Sequence, residues 1–489
     1  MSSDAHVAVV GGGVAGLVVA RDLARAGVRV TLLEAAPRFG GRIRVAEVAG
    51  LSLDIGAEAF ATRGGGVEAL ATELGIGSSV VRPAALGSWL VAGTNGAAVP
   101  LPPAGAMGIP ATPLAPASRR ALGLVGAIRA AIEPWLPRRI GRDSVTLAEL
   151  VRVRAGRAVV DRLVRPVTLG VFSAPPERIP LTSAATLVDE YKRSGSVIRA
   201  AARLRDSAAA AGGAVATLQG GMSELVDALA ASAVAAGADL RLGTVVTGLS
   251  AGETVAEPCA DQRRQAAVKL EIRTAQTQHA AELTDATEPM HVDAVVLAVP
   301  EAAARSLLGS PAPEATTAQV EVVALVLDAS NPAVCPLAAA PRGTGALVAA
   351  GGPGDVITAK ALTHVTRKWP RDERKAREVV RLSYGRDGAA PETDGLDAAA
   401  VQELALIDAS LILGVSLPRD AVVGFARQRW EMPSRGARER PKLPRGVSLV
   451  GDWVDGVGFA ALIPAARATA ANLATQLLTT TDSSERPAS

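Results

Sequence analysis

The stretch that most constrains the fold is residues 6–34. His6, Val7, Ala8, Val9 and Val10 form an apolar, β-branched run of the kind that makes a buried parallel strand. Gly11-Gly12-Gly13-Val14-Ala15-Gly16 follows at once and supplies the spacing Gly-x-Gly-x-x-Gly. Residues 17–25 carry helical periodicity, Gly27 ends the helix, and residues 28–33 read as a second strand closing on Glu34. Gly11 permits the tight turn, Gly13 lets a pyrophosphate approach the backbone, and Gly16 lets the helix pack on the strand. The helix N-terminus adds unpaired N–H groups and a positive potential. Glu34 lies 34 − 13 = 21 residues beyond the middle glycine. There a carboxylate accepts the ribose hydroxyls of an adenosine and repels a 2′-phosphate. The stretch predicts a Rossmann-like dinucleotide site in an α/β chain.

At 489 residues the chain has length for two or three domains. A net charge of only +3 argues against a nucleic-acid partner. The distribution is uneven, because residues 119–205 hold 17 Lys/Arg against 7 Asp/Glu, a local +10. That excess reads as a solvated helical face, or as a surface for an acidic substrate or anionic lipid. Cys259 and Cys335 have no metal or redox spacing and suit a reducing, cytoplasmic setting. The nucleotide strand begins so early that no signal peptide is expected, and no run of 18 uncharged apolar residues suggests a membrane span.

Beyond Glu34 stands Gly40-Gly41-Arg42. Residues 51–63 then alternate like a strand and pass through Gly56 and Ala57 to Arg63. Strand, glycine loop, helix, strand, acid and Gly-Gly-Arg in this order resemble the flavin-containing amine oxidase superfamily, which uses FAD. The resemblance implies that Gly40, Gly41 and Arg42 fold against the pyrophosphate and ribityl chain, and that Gly56 and Ala57 pass beside the isoalloxazine ring. It also implies a substrate-side cation at Arg63; the alternative is a simple ion pair between Glu58 and Arg63.

Residues 100–110 are a proline-punctuated loop, and residues 119–136 follow with helical spacing and Trp135 near the end. That helix packs on its own domain or touches a membrane surface. Further helices are expected over residues 146–155 and 158–164. The loop at 169–181, the Met107-Gly108-Ile109-Pro110 segment and residues 345–370 narrow the resemblance to bacterial FAD-dependent protoporphyrinogen/coproporphyrinogen oxidases. It implies that Gly170 lies over the tetrapyrrole face; from the residues alone Gly170 could equally cap a helix.

Gly220-Gly221-Met222 precedes another helix, with Ser223 as its expected N-cap. Residues 239–246 and 292–299 read as strands, and the resemblance places the Val246 backbone at the adenine. Residues 275–289 read as a polar surface insertion. Lys360 and Lys368 read as structural or substrate-edge cations, and the histidines as surface or satisfied residues. Near the end, a strand delivers Gly451 and Asp452, and Gly458-Phe459 open a helix. The resemblance sets Asp452 at the ribityl chain or pyrophosphate and aims that helix at the flavin pyrimidine ring.

The expected architecture is α/β, with an FAD-binding domain of the amine oxidase type assembled from residues 1–65, 215–305 and 440–480. A mixed-sheet substrate domain takes residues 66–100 and 306–439, a helical, membrane-facing domain takes 101–214, and 481–489 form a tail. The resemblance implies oxidation of coproporphyrinogen III to coproporphyrin III in haem synthesis, with O2 as acceptor and H2O2 as product. It also implies hand-over of the product to a ferrochelatase-type enzyme and peripheral membrane contact; no metal is called for. Protoporphyrinogen IX is the alternative substrate. The Pro-Gln-Tyr…Gly-His segment of that family is missing before residue 447, and Gly451-Asp452-Trp453 looks more like carotenoid or hydroxysqualene-type enzymes. An FAD desaturase and a non-catalytic porphyrin-binding paralogue therefore remain open.

Overall fold

The structure is a computed structural model that describes residues 3–102, 104–210, 215–251, 270–278, 282–283, 289–311, 317–349, 354–371, 376–386, 389–433 and 440–482. The strand Ser3–Val10 is central in a five-stranded, all-parallel sheet. The order is Asp239–Arg241, Val28–Leu33, Ser3–Val10, Ala294–Leu297 and Val447–Leu449. Such a sheet must be covered on both faces, which is why Val7, Val9, Leu32, Val295 and Val296 are all at or below 1% exposure. One covering helix is Val14–Arg25, whose continuous apolar surface packs on Ser223–Ala235 and on Phe459–Asp482.

A second sheet has seven strands in the order Val422–Pro433, Thr317–Asp328, Arg377–Tyr384, Ala361–His364, Gly345–Ala349, Trp89–Ala92 and Ala98–Pro100. Its pairings are antiparallel except between Trp89–Ala92 and Gly345–Ala349. Residues 116–210 contribute a separate helical core built on Leu147, Val151, Val160 and Ala200. Its centre is polar: the fully buried Arg154 donates Nε to Glu133 Oε1 at 2.7 Å, while Glu133 accepts the N–H of Val197 and Ile198 at 3.1 and 3.3 Å. One carboxylate thus pairs the buried cation and satisfies the N-terminus of the helix Val197–Ala210.

Several local expectations change. The segment expected to be one helix over 119–136 is Pro116–Ala131, broken at Gly123 where φ is +72°, followed by a tight turn over Glu133–Trp135. Ser223 is the first helical residue, not the cap; Met222 holds that position, and Glu224 reaches back to the N–H of Gly220 at 3.0 Å. The expected strand 239–246 is two strands, Asp239–Arg241 and Thr244–Ala251. Residues 275–278, expected within an irregular insertion, complete the strand Leu270–Gln278, which pairs with Thr244–Ala251 because its own alternation suits a ladder. Most of the remainder of that insertion, 279–281 and 284–288, and the tail from 483 lie outside the described residues.

Candidate functional site

The groove begins where the first strand ends. Gly11 adopts φ +105°, and a Cβ there would lie 2.5 Å from the Ala298 carbonyl oxygen. A Cβ on Gly16 would lie 1.9 Å from the Gly11 carbonyl oxygen. Both are obligate glycines on packing grounds. Gly13 differs, since a Cβ there would meet nothing within 4 Å. Its side faces open space at the N-terminus of Val14–Arg25, a helix with no acid in its first turn. That is the arrangement an anionic pyrophosphate requires.

Glu34 is drawn onto the same turn. Its carboxylate accepts the N–H of Gly12 at 2.6 Å and of Ala36 at 2.8 Å. The backbone beside it is stitched to residues 241–244, with Glu34 N–H to Arg241 O at 2.9 Å and Thr244 N–H to Glu34 O at 2.9 Å. Val246 follows two residues on and packs against the cluster under the first strand. On the other side, Gly40 N–H donates to Gly12 O at 2.9 Å, and a Cβ on Gly41 would sit 3.4 Å from Gly13 Cα. Arg38 braces this second loop by donating to the carbonyls of Phe39, Ile43 and Gly41.

The far end is formed by Arg42, Gly56, Ala57 and the segment from residue 451. A Cβ on Gly56 would be 2.0 Å from the Arg42 carbonyl oxygen, and Ala57 N–H donates to the same oxygen at 3.1 Å. The Arg42 guanidinium pairs with the Asp452 carboxylate. Asp452 opens a short helix, Asp452–Asp455, rather than ending a strand, and Gly451 N–H is satisfied by Asp455. Gly458, with φ +100° and open space at its Cβ position, precedes Phe459–Asp482, whose Phe459 packs on the nucleotide-side core. A hydrogen bond joins Glu34 to Gly12, Gly41 approaches Gly13, and an ion pair joins Arg42 to Asp452, so segments from both ends of the chain meet here.

The residues expected on the substrate side are more dispersed. Gly170 lies inside the helix Arg165–Phe172, which Ser173 caps at φ +54°, so it is not the cap. A Cβ on Gly170 would be 2.4 Å from Leu347 Cδ2. Lys360 is buried at 1% exposure, and its Nζ donates to Ser173 Oγ at 2.8 Å and Gly385 O at 2.6 Å. Burial, reinforced by Arg386, pushes its pKa down to about 7. Arg63 is exposed and forms no ion pair among the described residues. The alternative Glu58–Arg63 pair is absent: buried Glu58 instead meets Lys368 Nζ at 2.7 Å and Arg381 Nη1 at 3.3 Å, and its pKa falls to about 2 because those cations outweigh its burial. Lys368 is thereby a structural cation. His364 is buried against Glu378 at 2.9 Å, with its pKa lowered to about 3 by burial and Arg367.

Sequence reasoning did not single out Arg38, Arg381 or Trp430. For Arg381 a signal existed: an arginine set between Val380 and Leu382, inside the apolar run of the strand Arg377–Tyr384. No cluster of three or more potential metal ligands occurs among the described residues.

A sequence profile for flavin containing amine oxidoreductases matches residues 14–478. The chain belongs to this family. The open side of Gly13, the acid-free helix start and the Glu34 carboxylate fit the cofactor of such a flavoenzyme, which is FAD. Among curated proteins, this flavin oxidoreductase is 30% identical over 476 residues to coproporphyrinogen III oxidase of Mycobacterium tuberculosis strain H37Rv, spanning 94% of this chain and 95% of that one. It is 31% identical over 484 residues to coproporphyrinogen III oxidase of Mycobacterium leprae, across 94% and 96% of the two chains. Its fold also matches a crystallised candidate protoporphyrinogen oxidase from Exiguobacterium, with TM-score 0.77 and 21% identity over 97% of this chain and 100% of that chain. A cyclohexylamine oxidase from Brevibacterium oxydans shares the fold at TM-score 0.60 and 15% identity, over 97% and 100%. This flavoenzyme is an FAD-dependent oxidoreductase of α/β architecture. None of its described helices is long and apolar enough to cross a membrane.

Proposed function

We propose that the protein oxidises a porphyrinogen to the porphyrin, with coproporphyrinogen III as substrate and dioxygen as acceptor. The observation that carries this is end-to-end likeness to coproporphyrinogen III oxidases, which leaves little of the chain unmatched. Bound FAD supplies the two-electron oxidation; the chain supplies position and exclusion of water. Gly13, Gly40, Gly41 and the start of Val14–Arg25 would hold the pyrophosphate, Glu34 the adenosine ribose, and the Val246 backbone the adenine. Arg42 and Asp452 would flank the ribityl chain, with Gly56, Ala57, Gly451, Gly458 and Phe459 around the ring. Gly170 packed against the Leu347 side chain makes an apolar wall of the kind a flat macrocycle requires. Arg63, exposed and without an ion pair among the described residues, would meet a propionate at the mouth.

The helical region offers a surface for peripheral membrane contact. Leu124, Val125 and Trp135 are 63%, 83% and 77% exposed, and the exposed Arg119, Arg120, Arg138, Arg139 and Arg142 lie in the same stretch of chain. Apolar tips with a basic rim fit an anionic lipid surface.

The deciding experiment gives the purified yellow protein coproporphyrinogen III, protoporphyrinogen IX and an acyclic polyene in separate reactions. Porphyrin fluorescence rising with oxygen uptake, fastest for coproporphyrinogen, supports the reading. Turnover of the polyene alone supports the desaturase reading that Gly451-Asp452-Trp453 favours. Tight porphyrin binding without oxygen uptake identifies a non-catalytic paralogue.

A further inference from the structure

The backbone of residues 54–57 is divided between two parts of the molecule. Its N–H groups belong to the cofactor loop: Ile55 donates to Arg44 O at 2.9 Å and Ala57 to Arg42 O at 3.1 Å. Its carbonyls belong to the seven-stranded sheet. Arg381 Nη1 donates to Asp54 O at 3.0 Å and to Gly56 O at 3.1 Å, and Trp430 Nε1 donates to Ile55 O at 2.9 Å. Arg381 stands on Arg377–Tyr384 and Trp430 on Val422–Pro433, so two strands grip three consecutive peptide units. Glu58 locks the grip from below through Lys368 and Arg381.

We propose that Arg381 is a positioning residue that fixes the backbone of residues 54–56 against the far end of the FAD groove and thereby sets the reduction potential of the bound flavin. This role rests on the groove being the FAD site and is independent of which substrate is oxidised. Arg381 is suited to the task because its terminal Nη1 reaches both carbonyls and the Glu58 carboxylate at once, on a rigid, planar group. Remove it, and two carbonyl dipoles are freed beside the groove and one cation is lost. Both changes disfavour the negative charge that reduced flavin carries.

The test compares the full-length, FAD-loaded protein with Arg381→Met, Arg381→Lys and Trp430→Phe. Three readouts are taken: the visible flavin spectrum, the two-electron potential by dye equilibration, and kcat and KM with coproporphyrinogen III. Arg381→Met is expected to retain FAD, with an altered flavin band and a more negative potential. Its kcat falls about ten- to a hundredfold through misplacement of the reacting groups, while KM stays within about twofold. Arg381→Lys recovers part of the potential, and Trp430→Phe shifts it in the same direction by less. A purely structural role predicts the opposite pattern: lower thermal stability with unchanged spectrum and potential, which overturns the proposal. If Arg381→Met fails to fold, an unchanged potential in Trp430→Phe overturns it as well. Absence of porphyrinogen turnover in the wild type removes the substrate reading alone, since spectrum and potential still judge Arg381.

Discussion

Arg42 and Asp452, 410 residues apart in the chain, form an ion pair at the far end of the proposed cofactor groove. Asp452 is largely buried and Arg42 about one-third exposed, so the pair closes the groove by joining the first loop to the last helix pair. Asp452→Ala is expected to weaken FAD binding by at least about tenfold, because the loop loses its anchor and a cation is left unpaired. Fluorescence-quenching titration of the apoprotein with FAD measures it. An affinity equal to wild type would show that the pair is ornamental to the cofactor.

The glycine loop separates packing from binding. Gly16→Ala puts a methyl group 1.9 Å from a backbone oxygen and is expected to cost the fold, seen as loss of soluble protein. Gly13→Ala meets no protein atom and is expected to leave the apoprotein's melting temperature unchanged while abolishing flavin binding. Equal thermal behaviour of the two variants would contradict this assignment.

Gly170 and Leu347 should behave as a pair. Gly170→Ala drives its Cβ to 2.4 Å from Leu347 Cδ2, a flexible tip that would be displaced toward the proposed macrocycle site. The KM for coproporphyrinogen is expected to rise about tenfold with kcat less affected, and Leu347→Ala in the same chain is expected to restore it. Steady-state fluorescence assays of the single and double variants read the coupling directly.

Lys360 supplies a pH dependence of known sign. Its folded pKa of about 7 lies below the ordinary lysine value of 10.5, so between those values the unfolded chain binds more protons. Stability contributed at this position therefore rises with pH from about 7 to 10.5 and is lowest below pH 7. Lys360→Met removes that slope. Urea midpoints at pH 6.5 and 9.5 should differ less for the variant than for wild type, and parallel shifts would refute the assignment.

Trp135→Glu combined with Val125→Glu should abolish co-sedimentation with vesicles of anionic phospholipid while leaving flavin content and turnover intact. Wild-type protein that stays in the supernatant at low salt would dismiss the lipid surface as partner.

What could be read from the residues follows a physical division. Residues 6–34 were legible as strand, glycine turn, helix and strand because backbone conformation there is written in glycines and strand residues at fixed spacing. The strand Val28–Leu33 and the end of the helix at Arg25 appear where periodicity and Gly27 put them. Gly170 was legible as a residue but not as an environment, since nothing local says that Leu347 fills the space beside it. The Glu58 partners were illegible for the same reason: Lys368 and Arg381 arrive from strands and turns more than three hundred residues away, whereas Arg63 was merely close in sequence. The break at Gly123 is a positive-φ glycine that helical spacing does not report, and the end of the strand at Gln278 was hidden by its polar composition.

The five-stranded sheet also has a consequence for synthesis. Its first strand is made more than four hundred residues before its edge strand Val447–Leu449 and the covering helix Phe459–Asp482. At ribosomal rates the helix Val14–Arg25 waits roughly twenty to ninety seconds for the second of the two helices that cover its apolar face. During that interval the nascent chain carries an exposed greasy stripe, and chaperone capture, rather than cofactor supply, is the step on which its yield in the cell should depend.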